Sequence, residues 1–467
     1  MRSVITGGTV VASSGPYPAD VLIDGERIAA LTAPGSELAA AFGATADVRV
    51  DATGRLVIPG GVDVHTHLEM PFGGTTSSDT FETGTRAAAF GGTTTIVDFA
   101  IQRRGESLRA GLDAWHAKAE GRCAVDYGFH LIVSDVNDAT LAEMDSLVDE
   151  GVTSFKLFMA YPGVFYSSDG EIFRAMRRAA GNGATIMVHA ENGLAIDVLV
   201  AEALGRGERA PRYHGLTRPS RLEGEATRRA IDLAAQAGAP LYVVHLSAAE
   251  ALEAIAEARD AGQNVFAETC PQYLFLTDDD LARDGFEGAK YVCSPPLRPR
   301  EHHGPLWRGL RTDDLSVVST DHCPFCFKEQ KELGIGDFSR IPNGLPGIEH
   351  RLELTYQGVV RGDLSLARWV ELNATAPARL FGLYPRKGVI APGSDADVVV
   401  YDPSARRTIS ASTHHMRVDY SAYEGMEVTG CVDAVFSRGR LVVSGGRYLG
   451  EAGHGRFLER QPNGCLR

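Results

Sequence analysis

What the chain lacks narrows its function before any motif is read. No apolar run approaches the ~18 residues of a membrane span, and Met1-Arg2-Ser3-Val4-Ile5-Thr6-Gly7-Gly8 contains no apolar leader core. A cytoplasmic protein with no membrane partner is the expectation. Cysteine is scarce: seven in 467 residues, an odd and scattered set that does not make the disulfide framework of a small secreted domain. Positive charge is short as well. Lysine and arginine number 46 against 60 aspartates and glutamates, a formal net charge of −14, which argues against non-specific nucleic-acid binding. A small neutral substrate stays open. No repeat or low-complexity tract is present. Cys323-Pro324-Phe325-Cys326 has the spacing of a redox or zinc pair, but no second such pair exists to complete a zinc site. Its place directly after Asp321-His322 suggests a loop beside an active site.

What the chain has is length and core. Its 44% hydrophobic content fits a soluble enzyme-sized protein, with room for a barrel of ~250 residues and a smaller module. Up to about residue 54 the sequence reads as β-prone runs with turns; Val21-Leu22-Ile23, Asp24-Gly25 and Arg27-Ile28-Ala29-Ala30 form a hairpin signal. The same character returns at 396–402 and 440–446. Neither end has enough strands to close a core, so 1–54 and 385–450 predict one composite β-sandwich, with 451–467 as a C-terminal tail.

The middle, 55–384, alternates β-rich runs with Ala/Leu/Glu/Arg-rich helical stretches. Candidate strands fall at 62–67, 93–99, 126–133, 154–159, 185–190, 241–246, 264–269 and 316–321. Each is followed by a crossover of about 20 residues or more, as parallel βαβ units require. Ile186-Met187-Val188 and Leu241-Tyr242-Val243-Val244 are apolar on both faces, which fits a parallel sheet covered by helices. Residues 224–235 read as an amphipathic helix. The expected fold is α/β: a (β/α)8 TIM-type barrel with a small β-sandwich built from both termini.

In an extended strand alternate side chains share a face, so His65 and His67 of Gly60-Gly61-Val62-Asp63-Val64-His65-Thr66-His67 project together with Asp63. Other candidate ligands end predicted strands: His189, His245 and Asp321. In a barrel those ends converge on one face. Four imidazoles and a carboxylate suit zinc. Lys156 stands among apolar neighbours in Thr153-Ser154-Phe155-Lys156-Leu157-Phe158-Met159-Ala160-Tyr161. A buried ammonium is costly and would repel two dications. Lys156 is either a neutral or ion-paired structural lysine, or it reacts with carbon dioxide to give N6-carboxylysine, whose two oxygens can bridge two metals. Its barrel position and the absence of a spare acidic bridge favour the carbamate.

His65-Thr66-His67, Ser154-Phe155-Lys156, His189-Ala190-Glu191-Asn192, Val244-His245-Leu246-Ser247 and Ser319-Thr320-Asp321-His322 resemble the metal motifs of the amidohydrolase superfamily. Longer stretches resemble its dihydropyrimidinase/D-hydantoinase family: Glu69 through Thr75, Lys156 through Tyr161, Tyr213 through Pro219, Ile341-Pro342-Asn343-Gly344 and His415 through Tyr420. The similarity runs from the first strands to about residue 460. It implies two Zn2+ per subunit, bridged by carboxylated Lys156 and hydroxide. His65 and His67 would hold the more buried ion, His189 and His245 the more exposed one, and Asp321 would complete the buried site. Metal binding lowers the pKa of water to near neutrality, so such a pair supplies the nucleophile for an amide carbonyl. Asp321 would take its proton and pass it to the leaving nitrogen.

Tyr161 lies five residues after Lys156, so a continuous strand would point it to the opposite face. Pro162-Gly163 offers a break; turned inward, the hydroxyl would stabilise the oxyanion. The resemblance further implies ring recognition through backbone groups near Ser294 and Asn343, and a homotetramer. Leu68, Met70, Phe72 and Val164-Phe165-Tyr166 are expected to form loops over the pocket, although 162–168 departs from the family pattern. The implied reaction opens cyclic amides and imides: 5,6-dihydrouracil at N3–C4 to N-carbamoyl-β-alanine, a step of pyrimidine catabolism, and 5-substituted hydantoins to N-carbamoyl amino acids. An allantoinase-type ureide hydrolase and a non-catalytic scaffold of the same fold are the alternatives. Dihydroorotase is disfavoured because Leu68-Glu69 stands where that enzyme has a carboxylate-binding arginine, and Glu69 would repel an anion.

Overall fold

The computed structural model describes residues 1–462. Eight parallel strands form the barrel: β1 (Gly61–Thr66), β2 (Thr93–Ile101), β3 (Asp126–Ile132), β4 (Ser154–Phe158), β5 (Thr185–His189), β6 (Leu241–Val243), β7 (Val265–Thr269) and β8 (Val317–Val318). They are hydrogen-bonded in sequence order from β1 to β8. The seam between first and last is bridged where Thr66 pairs with His322 and the His67 N–H donates to the His322 carbonyl at 2.8 Å. Each strand lies where the hydrophobic pattern puts it. The ends of β6 and β8 fall short of the expected 246 and 321, because His245 and Asp321 adopt φ of +39° and +49°, a left-handed conformation that ends a strand.

The covering helices carry the expected end signals. Asp169–Asn182 starts with a Ser168/Glu171 capping box and stops at Gly183, φ +77°. Ser220–Ala237 contains the helix expected at 224–235 and buries Ala226, Ala230, Ile231 and Ala234 along one stripe.

Strands from both termini build one continuous nine-stranded mixed sheet beside the barrel. Leu56–Pro59 is its join, parallel to Arg2–Ala12 on one side and antiparallel to Val398–Thr408 on the other. The expected division gave this strand to the barrel; it belongs to the sheet, and Gly60 carries the chain from there into β1. A Cβ at Gly60 would stand 2.0 Å from the Thr94 hydroxyl, so only glycine fits the crossing. The N-terminal part also contains a helix, Glu37–Ala44, capped by the Ser36 hydroxyl, where sequence analysis foresaw strands alone.

The segment after 450 is no loose tail. The Tyr127 N–H donates to the Arg456 carbonyl at 3.0 Å, and the Leu458 N–H to the Tyr127 carbonyl at 2.7 Å. Arg460 is buried under β3 and β4 and donates to Ser154 Oγ at 2.9 Å. Residues 463–467 of the expected tail lie outside the described residues.

Candidate active site

All six residues singled out as metal ligands meet at the C-terminal mouth of the barrel. His65, on β1, and His67, one residue past its end, place their rings 5.1 Å apart. Asp321, just past β8, sets one carboxylate oxygen 3.1 Å from His65 Nε2 and 3.2 Å from His67 Nε2. His189 ends β5, and its ring centroid is 4.5 Å from that of His245, which lies 5.3 Å from His65. Lys156, from the middle of β4, brings Nζ to 3.0 Å from His65 Nε2 and 4.2 Å above the Phe99 ring. Ligand atoms of His65, His245 and Asp321 all lie within 4.8 Å of one another.

Burial sets the protonation of this cluster. It holds the imidazoles of His65, His67 and His245 below their usual range, with Lys156 adding to the effect, so each keeps a lone pair to offer. It also pushes the Lys156 ammonium down to about 8, against the pull of Asp321 and Glu268. Burial would raise Asp321, but His65, the hydrogen bond from His67 and Lys156 outweigh it and hold the acid at about 2. The donor set fits a divalent cation. Nδ1 of His67 and Nδ1 of His245 are buried with no hydrogen-bond partner, a cost that a cation would remove.

A carboxylate that was not among the expected site residues stands behind the cluster. Glu268, on β7, hydrogen-bonds His65 Nδ1 and accepts from Tyr242 Oη at 2.8 Å and from the His245 N–H at 3.1 Å. It thereby turns His65 Nε2 toward Lys156 and Asp321, the usual task of a carboxylate behind a ligating histidine. The signal was present: Val265-Phe266-Ala267-Glu268-Thr269 sets one acid in an apolar strand, the same anomaly that marked Lys156.

Tyr161 does leave its strand. β4 stops at Phe158, Tyr161 takes φ +61°, and its carbonyl accepts from the N–H groups of Val164, Phe165 and Tyr166 at 3.0–3.2 Å. The ring then lies 5.5 Å from that of His189. Burial pushes the phenol up to about 12, so it stays a proton donor. Asn343 Nδ2 contacts the phenolic oxygen at 3.4 Å and Ser294 Oγ at 3.1 Å, gathering the expected ring-binding residues on the same wall.

These groups line one cleft at the mouth of the barrel, open to solvent. Met70, Phe72 and Phe165 line it, and Cys323 stands on its wall. Three of the expected lid residues, Leu68, Val164 and Tyr166, do not. Leu68 is fully buried against Gly84, and Val164 is 52% exposed. Glu69 does not face the cleft either; its carboxylate accepts from the Phe81 N–H at 3.2 Å, at the start of helix Phe81–Phe90. Its charge is therefore no argument against an anionic substrate.

Comparison with known proteins agrees over the whole chain. The amidohydrolase family profile matches residues 56–442. The D-hydantoinase of Streptomyces coelicolor is 67% identical over 459 residues, 98% of each chain. The crystal structure of dihydropyrimidinase from Brevibacillus agri is 52% identical with a TM-score of 0.96, over 99% of both chains. The chain belongs to the D-hydantoinase/dihydropyrimidinase family of the amidohydrolase superfamily. Within that family it is more distant from an L-hydantoinase (dihydropyrimidinase) of Arthrobacter aurescens, at 33% identity and a TM-score of 0.87 over 98% of this chain and 99% of that one. Among the described residues no helix is long and apolar enough to cross a membrane.

Proposed function

We infer that this chain is a metal-dependent hydrolase of cyclic amides, opening 5-substituted hydantoins and 5,6-dihydrouracil to their N-carbamoyl products. The identity to D-hydantoinases supports preference for the D-enantiomer of a substituted ring. The observation that carries the metal reading is Lys156: a buried amine 3.0 Å from a ligand histidine, with no carboxylate paired to it among the described residues. As the free amine, Nζ can attack the carbon of CO2; an N–C bond forms, one C=O pair moves onto oxygen, and the nitrogen loses a proton to solvent. The resulting anion would sit among His65, His67, His189, His245 and Asp321, the set we assign to two Zn2+. Bound there, the ions supply Lewis acidity and a water activated at neutral pH.

The chain's own groups do the rest. Asp321, its pKa held at about 2, is ionised at neutral pH and can accept a proton on Oδ1, then release it readily to the departing amide nitrogen. The Tyr161 hydroxyl donates to the carbonyl oxygen as negative charge develops there. Main-chain groups of Ser294 and Asn343 read the alternating C=O and N–H of the ring without charge, and Met70, Phe72 and Phe165 exclude water around its substituent. We assign catalysis to the barrel and treat the sheet of 1–59 and 398–448 as its support.

Purified protein loaded with zinc and bicarbonate should open hydantoin, phenylhydantoin and dihydrouracil faster than allantoin or dihydroorotate. Fastest turnover of either of the last two would overturn the substrate assignment. A homotetramer is proposed from family membership. Outward-facing Leu194, Val198 and Leu216, 56%, 57% and 66% exposed, offer apolar surface for a second copy to cover. A monomer mass in light scattering would refute it.

A further inference from the structure

Lys331, at the start of the 3-10 turn Lys331–Gly334, has no exposed surface. Its ammonium donates to three main-chain carbonyls: Val292 at 2.8 Å, Pro342 at 2.7 Å and Gly344 at 2.9 Å. Three donors meet three acceptors, and no carboxylate pairs with it among the described residues. A cation surrounded only by dipoles is expensive to bury, and burial pushes this one down to about 7. The titratable groups beside it, Cys293 and Cys323, are thiols that burial keeps protonated and neutral. Nothing in the charge balance accounts for a lysine here; its geometry does.

The three carbonyls belong to two segments far apart in sequence, 292–298 and 341–345, which form one wall of the cleft. A further bond, Gly344 N–H to the Val292 carbonyl at 3.0 Å, joins them directly. Asn343 stands between two of the pinned carbonyls and Ser294 lies two residues beyond the third; both line the cleft. The main-chain N–H and C=O of these two residues make no hydrogen bond among the described residues. Main-chain groups beside a cleft that have no partner within the protein are open to a ligand's donors and acceptors. The ammonium takes up the neighbouring carbonyls and leaves these free.

We propose that Lys331 is a positioning residue for ring recognition: by tying Val292, Pro342 and Gly344 together it aims the Ser294 and Asn343 main-chain groups at the C=O and N–H of a cyclic amide. This rests on the ring-recognition reading above. The role is uniform across ring sizes, because hydantoin and dihydrouracil share those groups and differ elsewhere. It is also separate from the metal ligands, none of which Lys331 touches.

The test uses zinc-loaded Lys331→Met, which removes all three donors at similar length, and Lys331→Gln, which keeps two. Steady-state kinetics on unsubstituted hydantoin and dihydrouracil should show KM raised about tenfold or more in Lys331→Met and less in Lys331→Gln, with kcat within about threefold and metal content unchanged. A purely structural lysine would lower the active fraction, hence apparent kcat, at unchanged KM. Hydantoins methylated at either ring nitrogen separate the two readings. If the unaltered enzyme accepts both as well as hydantoin, recognition by Ser294 and Asn343 fails. If it discriminates and folded Lys331→Met keeps its KM, only the role of Lys331 fails. Should Lys331→Met not fold, Lys331→Gln carries the same prediction alone; failure of both to fold assigns the lysine to stability and overturns the proposal.

Discussion

Lys156 and Lys387 are both fully buried, at opposite mouths of the barrel and in opposite company. Lys387 lies near the start of β3, with Nζ 2.6 Å from Asp126, 2.7 Å from Asp397 and 3.0 Å from Asp395. Burial alone would lower its pKa; the three carboxylates more than offset that and drive it above the ordinary lysine range. Arg438 joins the same cluster through Asp126 at 3.0 Å. Lys156 has His65 Nε2 and the rings of Phe99 and Phe158 instead, and burial wins. The residue and the burial are the same. Neighbouring charge decides that one amine is a fastener between barrel and terminal sheet, while the other has its pKa brought down to about 8, where its free-base form becomes accessible near neutral pH.

The sharpest way to break this comparison is to delete both amines alike. Lys156→Met should lower turnover by at least ~10³-fold with loss of bound metal, since no anion is left to bridge two ions. Added acetate with zinc should restore part of it; full activity without rescue would end the carbamate account. Tyr161→Phe comes next, lowering turnover by about two to three orders of magnitude with both metals retained. A loss below tenfold would remove the phenol from oxyanion stabilisation. Lys387→Met should instead leave kcat/KM within about twofold while costing about 3–5 kcal/mol of stability in denaturant unfolding, because it strands buried carboxylates. If it silenced the enzyme as Lys156→Met does, the two mouths would not be separable.

The mildest effect is on pH. Only the unprotonated amine combines with CO2, and Lys156 titrates at about 8. At fixed dissolved CO2, the rate of reactivating stripped enzyme should rise about tenfold per pH unit below 8 and level off above it. A flat profile from pH 6 to 8 would contradict the depressed value.

The same pair shows what the sequence could reveal. Lys156 was legible because it interrupts an apolar strand, and His65, His67, His189, His245 and Asp321 were legible because strand ends in a barrel converge. Lys387 was not, since Tyr384-Pro385-Arg386-Lys387-Gly388 reads as an exposed turn and its partners come from 126, 395 and 397. Lys331 was hidden likewise in Lys328-Glu329-Gln330-Lys331-Glu332, a charge run that looks solvated. The ring recognition proposed for main-chain groups would leave no residue signature, so Ser294 and Asn343 were expected only from resemblance. Helix Glu37–Ala44 could have been found: Ser36 precedes Glu37-Leu38-Ala39-Ala40-Ala41, a capped run of strong helix formers passed over because hairpin signals surround it.

Carbon-13 NMR of the enzyme, stripped and reloaded with zinc in 13C-bicarbonate, tests the central claim most directly. The account predicts one labelled carbamate carbon per chain, gained together with activity and missing from Lys156→Met. Fully metallated, active enzyme with no labelled carbon would contradict it.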